Sequence, residues 1–331
     1  MKPRVLIAPA PLQDIEHVYG PAITAAGAEL VFPGKPHQLS EAELLEVLPG
    51  CVATLAGSEP YTRAVIAAAA AKGLKVIARA GVGYDAVDLA AATEHGVAVT
   101  FAPGTNQESV AEHTFTLILA LARHLIRQHN GIAAGGWPRQ TNRPIRGTVL
   151  GVLGLGRIGK AVARVGRNFG MTVIGHDPYA DSAYCAANGI ELLPMDDVFR
   201  RADWVSLHMP MLPESRQCVN ARTLGLMKPT AFLINTARGG VVCEPDLFDA
   251  LKNNRIAGAG LDVFENEPPG ANPLLTLDNV VMTAHTAGVD LLSRDDMARA
   301  AGEAIARLIT GVWPADWVVN PAVKAAFESR G

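Results

Sequence analysis

The sequence predicts an α/β protein of two doubly wound parallel sheets, one domain inserted into the other. Three observations predict it. Short apolar strands alternate with helical segments from Arg4 to Thr100 and again from Thr148 to His285, the pattern of parallel sheets. The strands carry few alternating polar residues, as expected when helices cover both faces. The second series opens on Gly154, Gly156 and Gly159 in the spacing G-x-G-x-x-G, and it is followed by a helix and a tail with no strands of their own.

The first series reads RVLIA, then a helix from Asp14 to Ala26; AELVF, then Ser40 to Leu48; CVATLA, then Tyr61 to Lys72; LKVIAR, then Ala86 to His95; and VAVT. In ARAGVGYDAVD, Gly81 and Gly83 expose main-chain amides after LKVIAR, at the carboxyl end of a parallel strand, where open sheets bind ligands. Read alone, that segment is better taken as a plain turn. The boundary falls at Ala102 to Gly104. Beyond it, Ser109-x-x-Glu112 is the capping-box signature of a long helix ending near Asn130. Apolar residues surround that helix (Val110, Phe115, Leu117, Ile118, Leu119, Leu121, Leu125), which calls for burial by more than one partner. In the loop GIAAGGWPRQTNRPIRG, Trp137 is an aromatic suited to docking on a second subunit.

Thr148 to Leu153 reads as a strand, and Ile158, Val162, Val165 and Phe169 recur at helical spacing, so the three glycines lie where strand becomes helix. Gly154 permits the tight turn, Gly156 lets the backbone approach a pyrophosphate, and Gly159 lets the helix pack near the strand. The phosphates then meet the positive end of the helix. The next strand, MTVIGHD, ends in Asp177, eighteen residues beyond Gly159, where a carboxylate can accept hydrogen bonds from both ribose hydroxyls of an adenosine. This combination predicts a dinucleotide site. His176 and Pro178 flank the acid, and neither supplies the cation a 2′-phosphate requires, so NAD is expected over NADP.

The alternation continues through a helix near Ala180 to Asn188, IELL, a helix from Met195 to Arg201, DWVSLHMP, AFLINTA, a helix from Glu244 to Asn253, IAGAGLDVF and NVVMTAH. An amphipathic helix from Leu291 to Thr310 and a tail anchored by Trp313, Trp317, Val318 and Val319 close the chain. The first sheet has no other helix for its remaining face, so the tail is expected to return to it.

The whole-chain composition narrows the function classes. With 331 residues, 49% of them hydrophobic, the chain can bury two cores without a metal or disulfide staple. A net charge of −3, without long runs of one sign, offers no basic face for nucleic acid. Cys51, Cys185, Cys218 and Cys243 lie far apart, with no C-x-x-C and no metal-ligand spacing. They read as reduced thiols, no metal is expected, and the cytoplasm is the expected compartment. The opening MKPRVLIAPAPLQD is broken by prolines and too short for a signal peptide. FTLILALARHL, bounded by His113 and Arg123, falls far short of the roughly 20 residues of a membrane span.

Three strand ends carry polar side chains that a structural turn does not require. Arg238 follows AFLINTA; Asp262 and Glu267 follow IAGAG; His285 follows NVVMT. An arginine offers a fixed fork of donors matched to a carboxylate. A histidine can exchange a proton with a carbonyl or alcohol oxygen, and a neighbouring glutamate would orient it and favour its protonated form. Singly, each has a bland alternative: a satisfied histidine, a solvated turn, a carbonyl cap. Together, behind a dinucleotide fingerprint, they are the parts for hydride transfer to a 2-keto acid.

The pieces ARAGVGYDAVDLAAA, NQESVAEHT, GVLGLGRIG, Asp177, HMPMLPESR, INTARGG, GLDVFENEPP and TAHTAG, in this order from about Lys75 to Gly288, resemble NAD-dependent D-2-hydroxyacid dehydrogenases of the phosphoglycerate dehydrogenase-like group. The resemblance implies a flavodoxin-like substrate domain of residues 1–102 and 287–331 and an inserted Rossmann NAD-binding domain of residues 103–286. It also implies a homodimer built largely on the helix and loop around Ser109 to Gly147. Carried over by position, Arg238 would hold the substrate carboxylate and carbonyl, His285 would be the acid/base and Glu267 its partner. The Val82 and Gly83 amides would bind the carboxylate, with Arg79 a further substrate-binding candidate. Gly154, Gly156, Arg157, Ile158, Gly159, Asp177, Met209, Pro210, Thr236, Ala237, Arg238, Asp262, His285 and Gly288 would line the NAD.

Two departures stand out. Ala284 replaces the proline that usually precedes the family's histidine. Where phosphoglycerate dehydrogenases resemble V-R-S-x-T-K-V-T, this chain reads LAGSEPYT, with Ala56 at the arginine position and Glu59 nearby. A carboxylate there disfavours a phosphorylated substrate, and Arg63, at the first turn of a helix, is expected to be solvated. The expected substrate is therefore a small unphosphorylated 2-keto acid. D-3-phosphoglycerate dehydrogenase, phosphite dehydrogenase and an NAD-sensing corepressor or scaffold of the same fold remain the alternatives. Formate dehydrogenases of this fold place Gln where Glu267 stands.

Overall fold

The computed structural model describes Lys2 to Glu328. The chain divides into two compact units, one made of residues up to Asn106 together with those from Leu291 onward, the other of Gln107–Asp290.

The first unit carries strands β1 (Arg4–Ile7), β2 (Glu29–Val31), β3 (Ala53–Ala56), β4 (Val76–Arg79) and β5 (Ala98–Thr100), alternating with helices α1 (Glu16–Ala25), α2 (Glu41–Val47), α3 (Arg63–Ala70) and α4 (Leu89–Glu94). The strands are all parallel, in the order β2-β1-β3-β4-β5. This is the flavodoxin-like doubly wound order. Alternate residues serve opposite faces: Val5 and Ile7 pack with Ile23 and Ile305, whereas Leu6 packs with Leu44 and Ile66. Ser40 and Glu43 close a capping box on α2, and Thr62 and Asp88 cap α3 and α4.

The second unit holds α5 (Gln107–Ala122), α6 (Leu125–Ala133), β6 (Val149–Leu153), α7 (Arg157–Asn168), β7 (Thr172–His176), α8 (Ser182–Ala187), β8 (Ile190–Leu192), α9 (Met195–Arg201), β9 (Trp204–Leu207), α10 (Ala221–Leu224), β10 (Phe232–Asn235), α11 (Glu244–Lys252), β11 (Gly258–Leu261) and β12 (Val280–Met282). Its seven strands are parallel, in the order β12-β11-β10-β9-β6-β7-β8. Strand order reverses at β6, so the carboxyl ends of β6 and β9 flank the crevice where such sheets hold ligands.

Helices α12 (Leu291–Ile309) and α13 (Lys324–Glu328) complete the first unit. Ala298, Ala301, Ala304, Ile305 and Leu308 of α12 enter its core. A Cβ at Gly302 would come within 2.8 Å of the Tyr19 Cβ, so glycine lets α12 lie close against α1. Further on, Asn320 accepts from Val99 N at 2.9 Å and donates to Val97 O at 2.9 Å, stitching the tail to β5.

Several sequence expectations are corrected. The helix expected from Ser109 to about Asn130 is two helices, broken at His124, whose φ of +50° lies in the left-handed region. The apolar pattern runs through the break because α6 buries none of its residues. Ser109 is no cap: α5 starts two residues earlier, at Gln107, and Ser109 is buried inside it. Gly131 to Ala133, expected in the loop, end α6. The helix expected from Asp14 is preceded by a 3-10 turn, Ala10–Ile15, with Pro9 at its N-cap and Pro11 in its first turn.

The four cysteines are free. Among the described residues, no helix is long and apolar enough to cross a membrane.

Candidate active site

The fingerprint loop is shaped by what its glycines exclude. Gly154, directly after β6, has φ +92°, and a Cβ there would lie 2.7 Å from the His208 carbonyl and Met209 N. A Cβ at Gly159 would fall 1.9 Å from Gly154 O, so only glycine lets α7 start this close to the strand. Gly156, the N-cap of α7, has nothing within 4 Å of its would-be Cβ. Arg157 and Ile158 follow in the first turn, with amides free of helical partners. Asp177 follows β7; its Oδ2 accepts from Leu155 N at 2.7 Å and its Oδ1 from Tyr179 N at 2.8 Å. Two main-chain donors thus fix the carboxylate beside the glycine loop. Open space above Gly156, a helix N-terminus and an adjacent anchored acid fit a dinucleotide: pyrophosphate over the loop, ribose hydroxyls on the acid.

The neighbouring strand ends supply the rest. After β9, His208 N donates to Leu153 O at 2.7 Å, setting Met209 and Pro210 beside the fingerprint. Burial pushes the His208 pKa down to about 3, so this imidazole is neutral and is not an acid for the reaction. After β10, Thr236 shares a 3.1 Å hydroxyl bond with Thr114 of α5, Ala237 N donates to Asn235 Oδ1, and Asn235 Nδ2 holds Arg238 O at 3.0 Å. The Arg238 Nη1 donates to Ala237 O at 2.7 Å. A Cβ at Gly239 would lie 1.9 Å from the Phe264 carbonyl carbon, so glycine presses the Arg238 turn onto the segment that leads to Glu267.

Glu267 and His285 meet there. Glu267 Oε2 is 2.7 Å from His285 Nδ1, and Oε1 accepts from Phe264 N at 3.0 Å. Burial works to raise the Glu267 pKa, but the His285 bond, the Phe264 N–H and the His285 and Arg238 charges outweigh it and hold the carboxyl below its ordinary value. With Nδ1 engaged, Nε2 is the ring atom left to exchange a proton with a ligand. The pair is partly exposed, His285 by 48% and Glu267 by 36% of their side chains.

Asp262 turns inward from the end of β11 and is 1% exposed. Its carboxylate takes Thr283 Oγ1, Thr286 N and Ala287 N, and its carbonyl takes His285 N. Gly288 ends this loop. Sequence motifs give His113 and Thr283 no role and read Ser109 as a helix cap, yet all three touch the loop: Ser109 Oγ donates to Ala287 O at 2.9 Å, and His113 Nε2 lies 2.8 Å from Thr283 Oγ1. The readable signal is only the four-residue spacing of Ser109 and His113, which puts both on one face of α5.

The remaining candidates, Arg79, Val82 and Gly83, belong to the first unit. Arg79 is the buried last residue of β4; its Nε donates to Gly83 O at 2.8 Å and its Nη1 to Ala56 O at 3.3 Å. Glu59 is 2% exposed and accepts from Gly57 N at 2.6 Å. Arg63 opens α3 with a half-exposed side chain paired to Glu94 and Asp88.

Residues 115–287 match the family model for the D-isomer specific 2-hydroxyacid dehydrogenase NAD binding domain. The chain is 42% identical over 278 residues to a D-3-phosphoglycerate dehydrogenase of Methanocaldococcus jannaschii, covering 83% of this chain and 52% of that protein. It thus spans about half the length of the phosphoglycerate dehydrogenases it matches. It is 37% identical over 262 residues to a glyoxylate reductase of Korarchaeum cryptofilum, covering 77% of this chain and 79% of the relative. The crystal structure of D-lactate dehydrogenase from Aquifex aeolicus complexed with NAD and lactic acid superposes with a TM-score of 0.84 at 26% identity, covering 96% of this chain and 99% of that one. The chain belongs to the D-isomer specific 2-hydroxyacid dehydrogenase family.

Proposed function

We propose that the protein interconverts a small 2-keto acid and the D-2-hydroxy acid by NAD-dependent hydride transfer. The observation that carries this reading is the His285–Glu267 pair, 2.7 Å apart on the same unit as the dinucleotide fingerprint. When bound, NADH supplies the hydride. Gly154, Gly156, Gly159 and Asp177 would hold it, with the turns at Met209, Pro210, Thr236, Ala237 and Gly288 alongside. Arg238 pairs with the substrate carboxylate and polarises its carbonyl. His285 gives its Nε2 proton to the carbonyl oxygen in reduction and takes it back in oxidation, while Glu267 stabilises the imidazolium and fixes the ring.

We assign an unphosphorylated substrate such as glyoxylate, hydroxypyruvate or pyruvate. Three features support it: a carboxyl at position 59, the bonding of Arg79 to main-chain carbonyls, and the pairing of Arg63 with two acids. The glyoxylate reductase match, over four fifths of that relative, agrees. The 42% identity to a phosphoglycerate dehydrogenase favours the second reading, oxidation of D-3-phosphoglycerate. Steady-state NADH oxidation with 3-phosphohydroxypyruvate and with hydroxypyruvate separates them. A kcat/KM preference above about tenfold for the phosphorylated acid, worth about 1.4 kcal/mol, selects the second.

A homodimer and a cytoplasmic location belong to the same proposal. Leu125, Ile126, Ile132 and Trp137 expose 57, 50, 53 and 76% of their surface on α6 and the loop after it, an apolar face suited to a second copy. Four free thiols suit a reducing compartment.

A further inference from the structure

We propose that His113 is a positioning residue that, with Ser109, locks the loop carrying His285; the proposal rests on His285 being the acid/base. His285 has φ +53°, a conformation that L side chains rarely adopt and that persists only where its surroundings over-determine it. Residue 284 is alanine, so no proline ring fixes the backbone on its N-terminal side. Hydrogen bonds must therefore hold the turn.

They come from two sides. From β11, the Asp262 carbonyl accepts His285 N at 2.8 Å, and its carboxylate accepts Thr286 N and Ala287 N at 2.9 Å each. From α5, Ser109 Oγ holds Ala287 O, and His113 Nε2 reaches Thr283 Oγ1. The donor inventory orders the second set. Thr283 has one hydroxyl hydrogen, and it points at Asp262 Oδ1, 2.6 Å away. The Thr283 oxygen must therefore accept from His113, which makes Nε2 the protonated nitrogen. The bonds run from His113 N–H to the Thr283 hydroxyl to the Asp262 carboxylate, which also receives the Thr286 amide one residue beyond His285. His113 Nε2 is itself only 3.5 Å from Asp262 Oδ1. Removing the imidazole takes away no group assigned to substrate or cofactor. It leaves Thr283 without its donor and Asp262 with one fewer neighbour to orient it, so the loop can leave the left-handed turn and carry the His285 ring out of line. A misplacement of about 1 Å can cost about 100-fold in turnover.

The test compares His113→Ala, His113→Gln and Thr283→Val in the full chain, reading kcat and KM with a 2-keto acid, NADH dissociation by fluorescence, and amide hydrogen exchange of residues 283–287. We expect His113→Ala to lower kcat about 10- to 100-fold, to leave the NADH dissociation constant within about threefold, and to speed exchange at Thr286 and Ala287. His113→Gln, whose amide can donate to Thr283, should recover kcat to within about threefold of wild type. The double variant His113→Ala/Thr283→Val should be no worse than the worse single one, because both break the same bond. A kcat for His113→Ala within threefold of wild type overturns the proposal, as does equal loss in the Ala and Gln variants accompanied by loss of NADH binding. If His113→Ala does not fold, Thr283→Val with unchanged exchange and kcat overturns it equally. The exchange readout needs no substrate: a wild-type protein that reduces no 2-keto acid refutes the acid/base reading, while the exchange rates still decide whether His113 holds the loop.

Discussion

Glu267 Oε2 stands 2.7 Å from Nδ1 of His285, while the other carboxylate oxygen is held by Phe264 N at 3.0 Å. One anchored oxygen makes the glutamate a fixed partner, and its bond to Nδ1 turns Nε2 outward for proton exchange.

Replacing His285 by alanine is expected to lower kcat about 100- to 10,000-fold, the range for a general acid/base group. NADH affinity should stay within about threefold, since the ring acts in the chemical step. Stopped-flow turnover and NADH titration check both. Activity above a tenth of wild type sinks the assignment.

Glu267→Gln should cost less, about 10- to 100-fold, and should flatten the acid limb of the pH–rate profile, because the amide has no carboxyl to protonate. The wild-type pair weakens at acid pH through Glu267. Its depressed carboxyl means that the stabilisation is complete above the ordinary glutamate value of about 4.3 and is lost as pH falls through the lower folded value. Glu267 should thus be ionised at pH 5 and above. An unchanged pH–rate profile in the variant removes Glu267 from the mechanism.

Asp177 is pinned by Leu155 N and Tyr179 N, so it cannot swing away from a 2′-phosphate. NADH should exceed NADPH in kcat/KM by about 100-fold or more, worth about 2.7 kcal/mol, and Asp177→Ser should narrow that ratio. Equal specificity constants for the two cofactors contradict the reading.

The apolar residues of α6 are matched by nothing buried on that helix, so a second copy is expected to cover them. Sedimentation at micromolar concentration should show a dimer, and Trp137→Ala should weaken it by about 2 kcal/mol or more, as truncation of an interface tryptophan does. A monomeric wild type would refute this.

What the sequence discloses and what it hides follow from how far each signal reaches. Strand-to-helix alternation is local, so both sheets, the glycine turn before α7 and the strand-end placement of Arg238, Asp262 and His285 are legible. The break at His124 is not, because a single left-handed residue leaves the apolar pattern intact while α6 turns its apolar side chains outward. Ser109 fits a capping box in sequence, but its hydroxyl is used by Ala287 O, far along the chain. His113 likewise acquires its partner only when α5 packs beside the β12 loop. Glu59 is legible as a charge, and its burial is not.

That burial gives the last prediction. Burial raises the Glu59 pKa, opposed by the Gly57 and Glu59 main-chain bonds and the Arg79 charge. With rising pH the unfolded chain, near the ordinary value, loses its proton before the folded chain does. Stability therefore falls as pH rises from the ordinary carboxylate range through the raised folded value. Glu59→Gln keeps an acceptor for Gly57 N and removes the ionisation, so the variant should gain stability over wild type at pH 8 and gain little at pH 5. A difference of about 1 kcal/mol shifts Tm by about 2–4 °C in a unit of this size, which calorimetry resolves. The opposing possibility is that pairing with Arg79 outweighs desolvation. In that case the variant would be less stable than wild type at pH 8, with the deficit shrinking at pH 5, and the carboxyl at position 59 would have to be read as an ionised partner of Arg79.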